Sequence, residues 1–270
     1  MVEKYPDPVV LVIGASGVGK STVCNFLAGF SDGDPNGFDT GIPITGESVT
    51  KTAEVRRVQW RGTGKYLTIV DTPGLSDPAG KDTDREQFKN VLSVLKYQVG
   101  SISAIIHVVK GTETRKLPHV RLNLQLFKFM FGEAMKTNLI NYVSFWSHYE
   151  HMHEEDRDDF RARRDLEQQE LFNEPNITVP TVFVDPIDAL PRSLMNTKLN
   201  LYRFVKGSKL IQEEELEKLE TFIWNQTTQF HCSSKCNYVE GIFDTRSPYP
   251  TVKSGDQYGL SRYEVRVVNI

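Results

Sequence analysis

The chain has 270 residues, of which 39% are hydrophobic, and its formal net charge is −3 with an isoelectric point near 6.1. A chain of this length can bury a sizeable core in one or two domains. The slight net negative charge does not favour binding to nucleic acid or to an anionic membrane. Three cysteines are too few for a disulfide framework.

The first half of the chain predicts a strand, a helix and a hairpin. Residues 9–13 form a short β-branched run, as a buried parallel strand would, and residues 22–28 can form a helix. A long loop rich in Gly, Asp and Pro follows at 30–47. Residues 54–60 and 66–70 have the pattern of two strands around a short turn, which predicts a hairpin.

The second half of the chain alternates helices and strands. In chain order we predict a helix at 83–99, a strand at 102–109, a helix at 119–133, a strand at 139–146, a helix at 153–172, a strand at 179–184 and a helix at 211–228. The helix at 153–172 is highly charged, so we expect a surface helix with a weak apolar stripe at Phe160, Leu166, Leu171 and Phe172.

Periodicity fades in the last part of the chain. We therefore predict one domain over residues 1–230 and a C-terminal extension of unknown role at 231–270, in which 263–268 could form one more strand. Cys232 and Cys236 lie beside a histidine, which leaves a metal site open, although no second Cys/His pair accompanies them.

The N-terminal residues and the distribution of apolar residues indicate where in the cell the protein is expected. Residues 1–8 contain no apolar run of the signal-peptide type, and no stretch approaches the length needed to span a bilayer. We therefore expect a cytoplasmic protein without a transmembrane segment.

Residues 14–21 read G-A-S-G-V-G-K-S, a complete phosphate-binding loop between the first strand and the first helix. Its glycines let successive backbone N–H groups point inward at a phosphate chain. Lys20 can reach the β- and γ-phosphates, and the Ser21 hydroxyl can ligate Mg²⁺. The predicted nucleotide contacts are Gly14, Ser16, Gly17, Val18, Gly19, Lys20, Ser21 and Thr22.

This loop and the order of elements together predict the fold. Strands that alternate with helices form a parallel sheet covered on both faces. We expect an α/β P-loop NTPase fold, a three-layer αβα sandwich with a mostly parallel sheet and one antiparallel edge strand.

Two further segments supply what a nucleotide switch needs. The run D-T-P-G at 71–74 follows a predicted strand, so Asp71 can hold a water on Mg²⁺ and the Gly74 amide can donate to a γ-phosphate. A switch also needs a hydroxyl that joins the Mg²⁺ shell with the γ-phosphate. Thr50 is the candidate, with Thr52 second. We thus predict catalytic roles for Lys20, Thr50, Asp71 and Gly74, and metal ligation by Ser21, Thr50 and Asp71.

The predicted base site lies at the end of the strand at 139–146. GTPases usually place N-K-x-D here, and this chain has Ser147-His148-x-Glu150 at the same spacing. His148 could stack on the base, and Glu150 could accept two hydrogen bonds from guanine. The alternative is a loop with a solvated glutamate. A weaker signal for a base-contacting loop lies at 184–186.

With these segments in place, the chain resembles the immunity-associated and avirulence-induced (GIMAP-type) GTPases, close to septins and the chloroplast import GTPases. The resemblance covers residues 8–230 and rests on G-x-S-G-V-G-K-S-T at 14–22, S-V-T-K-T at 48–52 and D-T-P-G-L at 71–75. It implies binding of GTP and GDP, slow Mg²⁺-dependent hydrolysis, and dimerisation or polymerisation through the nucleotide face. Glu150 stands where the family has Asp.

The residue after the D-T-P-G run affects the expected rate of GTP hydrolysis. A water-positioning Gln is usual shortly after such a run, but this chain has Leu75, which cannot orient a water by hydrogen bonding. Hydrolysis should therefore be slow for the monomer or need a residue from a partner. Arginines that could act in trans are Arg56, Arg57, Arg85 and Arg115, with surface solvation the alternative. A nucleotide-binding scaffold without useful turnover, and a P-loop ATPase or kinase, remain alternative functions.

Overall fold

A computed structural model describes residues 7–31, 34–41, 50–74, 81–111, 124–125, 127–128, 130–146, 154–185, 213–226 and 230–231. The strands in chain order are β1 (Val9–Ile13), β2 (Glu54–Gln59), β3 (Tyr66–Asp71), β4 (Ser101–Ile102), β5 (Ala104–Lys110), β6 (Leu139–Ser144), β7 (Thr181–Phe183) and β8 (Phe230–His231). The helices are α1 (Lys20–Ala28), α2 (Lys81–Val94), α3 (the described helical residues between 124 and 131), α4 (Ala134–Asn138), α5 (Glu154–Phe172) and α6 (213–224).

One mixed sheet is the centre of the structure. In the described residues this sheet has six strands in the order β2-β3-β1-β5-β6-β7, and of these only β2 runs antiparallel to its neighbour. Strand β1 pairs with β3 and β5, and all five of its residues are buried. A strand covered on both faces has no solvent-facing positions, which is why its sequence is a continuous apolar run.

Helices cover both faces of this sheet. One core joins the sheet to α2, α3 and α5 and includes Phe88, Phe127 and Leu171. The other core joins the sheet to α1 and α6 and includes Leu27 and Leu219. The predicted αβα sandwich with one antiparallel edge strand is confirmed.

The apolar run predicted as a strand at 102–109 is divided between two sheets. Ser101 and Ile102 pair with β8 rather than with the main sheet, which β5 joins from Ala104 onward. Ser103 lies at the break, where its N–H donates to the carbonyl of Val9 at 2.8 Å and its hydroxyl accepts the N–H of Val9 at 3.1 Å. The alternation of apolar residues does not reveal this change of partner.

Other predicted elements differ in their bounds. The helix predicted at 83–99 is α2, which continues as a π-helical turn over Leu95–Val99, and the strand predicted at 139–146 ends at Ser144. The described parts of the loop predicted at 30–47 contain no helix or strand. The strand predicted at 263–268 lies outside the described residues, as do Cys232 and Cys236.

The predicted stripe of α5 was wrong at one position. Phe160, Leu171 and Phe172 are buried, but Leu166 is 56% exposed. From Phe160, the helical period leads to positions 164, 168 and 171, so Leu166 lies on another face. Gln168 occupies the inward position instead and is buried.

Helix α6 forms hydrogen bonds near both edges of the main sheet. The buried Glu215 carboxylate accepts the backbone N–H of Phe183 at 2.9 Å, on the outer edge of β7. Farther along the helix, Glu220 accepts the Trp60 indole N–H at 3.1 Å and the Lys65 ammonium at 2.6 Å, beside the β2–β3 turn. Within the described ranges, every helix is too short or too polar to cross a lipid bilayer.

Replacing Glu215 with alanine should destabilise the domain. The change leaves the buried N–H of Phe183 without its acceptor and removes the partner of Arg161 and Lys218. We expect the free energy of unfolding to fall by about 1–3 kcal/mol, measured by urea denaturation. Glu214→Ala is the matched control, because Glu214 is 70% exposed and pairs only with Lys218 among the described residues. Equal losses in the two variants would contradict the edge contact.

Candidate nucleotide-binding site

The loop between β1 and α1 has a backbone that requires glycine. A Cβ placed on Gly14 would lie 2.5 Å from the carbonyl oxygen of Val108, so β5 leaves no room for a side chain. Gly19 precedes α1 with a φ of 89°, a left-handed conformation that side chains disfavour. The predicted phosphate-binding loop therefore curls between two strands and presents the first turn of α1.

Lys20 begins α1 with a buried side chain. Its ammonium donates to the carbonyl of Ala15 at 2.9 Å, across the loop. Burial lowers the pKa of Lys20 to about 8, and the negative charge of Asp71 opposes this shift. The lysine is thus held over the loop as a cation at neutral pH, where a phosphate chain would meet it.

Three of the predicted residues meet at one point. The Ser21 hydroxyl lies 2.6 Å from Asp71 Oδ2, to which it donates, and 2.9 Å from the Thr50 hydroxyl oxygen. These residues come from α1, the end of β3 and the segment before β2. The structure thus brings the three residues predicted as metal ligands together from separate elements.

Asp71 is buried without full compensation of its charge. Burial raises its pKa to about 6, although hydrogen bonds from Ser21 and Cys24 and the charge of Lys20 favour the ionised form. Its Oδ1 atom is buried and accepts no hydrogen bond from the part of the chain that the structure describes. A carboxylate oxygen that lacks a donor, beside two hydroxyl oxygens, matches the oxygen ligands that Mg²⁺ prefers. The residues present fit that ion.

The D-T-P-G run lies directly against the phosphate-binding loop. The Thr72 hydroxyl donates to the carbonyl of Val12 at 2.7 Å, which fixes the segment beside β1. A Cβ on Gly74 would lie 2.5 Å from the Ser16 Cα. Only glycine permits this approach, which brings the Gly74 backbone to the place where the terminal phosphate would lie.

The end of β6 also contacts the loop, which sequence reasoning missed. The Ser144 hydroxyl lies 2.8 Å from the carbonyl of Val18 and 3.3 Å from that of Val109. The next residue, Phe145, has a φ of 57°, and a ring carbon lies 3.3 Å from a Cβ placed on Gly19. A left-handed phenylalanine has no signal in hydrophobic periodicity or in propensity, so these residues are found only in the structure.

Some predicted residues do not lie in the described part of the chain. These are the predicted base-contacting residues His148 and Glu150, together with Leu75 and Arg115, and the side chain of Arg85. Arg56 pairs with Glu54 and Arg57 with Asp7, so neither needs a partner chain to satisfy its charge.

A hydrogen bond joins the two segments that flank the nucleotide site. The Ala53 N–H, three residues after Thr50, donates to Asn90 Oδ1 at 2.5 Å. Asn90 belongs to α2, which follows the D-T-P-G run along the chain. The segment that carries Thr50 is thereby attached to the helix beyond Gly74.

Sequence comparison agrees with this geometry. Residues 9–141 match the sequence model of a GTPase family described as 50S ribosome-binding GTPase. The chain has the fold of a P-loop GTPase. Septin-2 of Rattus norvegicus is 30% identical to it over 141 residues, which cover 50% of this chain and 36% of septin-2. GTPase Der of Halothermothrix orenii is 36% identical over 112 residues, which cover 38% of this chain and 20% of Der.

Solved structures of Toc33 resemble this chain in fold. Toc33 from Arabidopsis thaliana in complex with GDP and Mg²⁺ superposes with a TM-score of 0.54 at 15% identity, covering 85% of this chain and 89% of Toc33. Its complex with Mg²⁺ and GMPPNP gives 0.53 at 16% identity, with 83% and 88% covered. Identity this low shows the fold alone. The chain spans little more than a third of the length of the septins that it matches.

Replacing Asp71 with asparagine should stabilise the folded domain at neutral pH in the absence of nucleotide and divalent cation. The pKa of Asp71 is raised from 3.8 to about 6, so the native state binds more protons than the unfolded state between these values, and stability falls as the pH rises through that window. A shift of this size corresponds to at most about 3 kcal/mol.

The asparagine variant lacks this penalty. Its advantage in free energy of unfolding should be largest above pH 6 and should vanish below about pH 4. Urea denaturation across this pH range measures it. Asp159→Asn, at an exposed position on α5, is the control. Parallel stability profiles for wild type and the Asp71 variant would show that burying this carboxylate has no cost.

Proposed function

We propose that this GTPase domain binds GTP and GDP with Mg²⁺, hydrolyses GTP slowly, and changes its dimeric or oligomeric state with the nucleotide. The observation that carries the proposal is the meeting of Ser21 and Thr50 with the buried carboxylate of Asp71, whose Oδ1 has no donor among the described residues. A phosphate loop alone fits many nucleotide enzymes. A hydroxyl from a separate loop, at the metal position, is what a switch on the γ-phosphate requires.

Each residue has a role in the proposed mechanism. Lys20 and the backbone N–H groups of the loop neutralise and position the phosphates, which is most of what phosphoryl transfer requires. Ser21 and Thr50 would ligate Mg²⁺, and Asp71 would hold one of its waters. Bound Mg²⁺ supplies charge neutralisation on the β- and γ-phosphate oxygens. Gly74 would donate its backbone N–H to the γ-phosphate.

Slow turnover follows from Leu75. Its side chain cannot orient the attacking water, so the isolated domain would lack a group that most GTPases supply. A partner copy could provide one through the nucleotide face. One solved structure with this fold is a dimerization-deficient mutant of Toc33, so dimerisation is a property of that protein. For this chain we propose a homodimer or homo-oligomer on the same grounds.

Several sequence-based predictions remain proposals. These are the GIMAP-type subclass, guanine recognition by His148 and Glu150, the domain bounds 1–230 and 231–270, and a cytoplasmic location. A second candidate function, a nucleotide-binding scaffold without useful turnover, is favoured by Leu75. In that case GTP and a non-hydrolysable analogue would hold the same assembly state indefinitely.

Nucleotide selectivity tests the proposed function. The purified chain with Mg²⁺ should bind GTP more tightly than ATP by calorimetry and release phosphate slowly over hours. Lys20→Ala should remove both properties, because the loop then lacks its only buried cation among the described residues. Lys89→Ala, on α2, is the control. Equal affinity for ATP would contradict guanine recognition, and no release of phosphate under any condition would favour the scaffold.

The Asn90 contact should matter for GTP more than for GDP. Asn90→Ala removes the acceptor of the Ala53 N–H, so the segment that carries Thr50 loses a support needed only with a γ-phosphate. We expect affinity for a GTP analogue to fall about five- to ten-fold more than affinity for GDP. Asn90→Asp keeps an oxygen acceptor and should lose less. Equal losses for the two nucleotides in Asn90→Ala would refute this link.

A further inference from the structure

The geometry of the site fixes the direction in which a nucleotide must extend. In the proposed function, Ser21, Asp71 and Thr50 would hold the metal and the terminal phosphate on the β3 side of the loop. Strand β1 has β3 on one side and β5 on the other, followed by β6. A ligand at the carboxyl edge of the strands, with its terminal phosphate beside β3, therefore has its nucleoside over the ends of β5 and β6.

At the carboxyl edge of the sheet, the end of β6 is hydrogen-bonded to the phosphate-binding loop. The Ser144 hydroxyl lies 2.8 Å from the carbonyl of Val18, a residue of the loop 126 positions earlier in the chain. Ser144 is buried, and its hydroxyl also lies 3.3 Å from the carbonyl of Val109 in β5. The residue that follows Ser144 thus has a fixed position relative to the phosphate-binding loop.

That residue is Phe145, and its conformation is unusual. Its φ of 57° lies in the left-handed region, which a bulky non-glycine residue rarely adopts. A carbon of its ring lies 3.3 Å from a Cβ placed on Gly19, the residue before Lys20. The Lys110 ammonium, at the end of β5, lies 5.4 Å from the ring centroid. The ring is only partly buried.

We propose that the Phe145 ring supports the nucleoside of the bound nucleotide and supplies affinity that does not depend on which base is present. An aromatic face contacts any base, because every base has a π-face. Backbone strain kept at a ligand site points to a role for the side chain that it directs. This inference rests on the proposed function, since it requires a nucleotide in the loop. The proposed guanine contacts of Glu150 would add selectivity to this support.

Contact of the Phe145 ring with the nucleoside and selectivity for the base affect nucleotide affinities in different ways. Removing the ring should lower affinity for GDP and for ADP by the same factor, and their ratio should not change. Removing Glu150 should instead change the ratio. An inorganic triphosphate has no nucleoside, so its affinity for the loop should not depend on Phe145.

The test measures binding of three ligands, each with Mg²⁺, by calorimetry: GDP, ADP and inorganic triphosphate. Phe145→Ala should lower affinity for both nucleotides about ten- to a hundred-fold and leave that for triphosphate unchanged. Phe145→Asn should do the same, and asparagine tolerates the left-handed backbone, so it serves where the alanine variant folds poorly. Phe145→Tyr retains the ring and should bind like wild type. Tyr97→Ala removes an aromatic side chain that is 60% exposed after α2, and is the matched control.

Two outcomes would overturn the inference. If the variants without the ring bind GDP and ADP within two-fold of wild type, the ring does not touch the nucleoside. If they lose affinity for triphosphate by the same factor, Phe145 only supports the loop through Gly19. Failure of the proposed function has a different signature, which is the absence of nucleotide binding by the wild-type chain.

Discussion

The hydrogen bond from Ser21 to Asp71 joins the two halves of the nucleotide site. It connects the first turn of α1 to the end of β3, and the Thr50 hydroxyl contacts the same serine. The fold buries a carboxylate there because β1 and β3 pair side by side at the centre of the sheet. Burial alone would favour a neutral acid, whereas the hydrogen bond from Ser21 and the charge of the Lys20 ammonium favour the ionised form of Asp71.

The close approach of backbones gives this site its shape. The loop lies between the carbonyl of Val108 on one side and Gly74 on the other, with no space for a Cβ at Gly14 or Gly74. Glycine is therefore required at these positions by the short distance to neighbouring atoms. The same packing brings Ser144 onto the loop, so that four strands contribute residues to one short edge of the sheet.

Sequence reasoning found the parts of this structure that have local signals. The apolar run of β1, the glycine pattern of the loop and the D-T-P-G run each follow from spacing along a few residues. The change of partner at Ser103 and the exposure of Leu166 were not predicted, because both depend on which neighbours a residue meets in space. Ser144 and Phe145 were missed for the same reason, since their contacts join residues far apart in the chain.

Both edges of the sheet carry features that oppose pairing with a second sheet. At β7, the outward N–H of Phe183 is already bonded to Glu215 of α6, so a strand from another molecule would find this donor occupied. At β2, the outer strand bears Glu54, Arg56 and Arg57, and charges on an edge strand disfavour edge-to-edge aggregation. Continuation of the sheet from one copy to the next is thus opposed at both ends. Assembly of this domain, where it occurs, would then use contacts between side chains or loops rather than pairing of these edge strands.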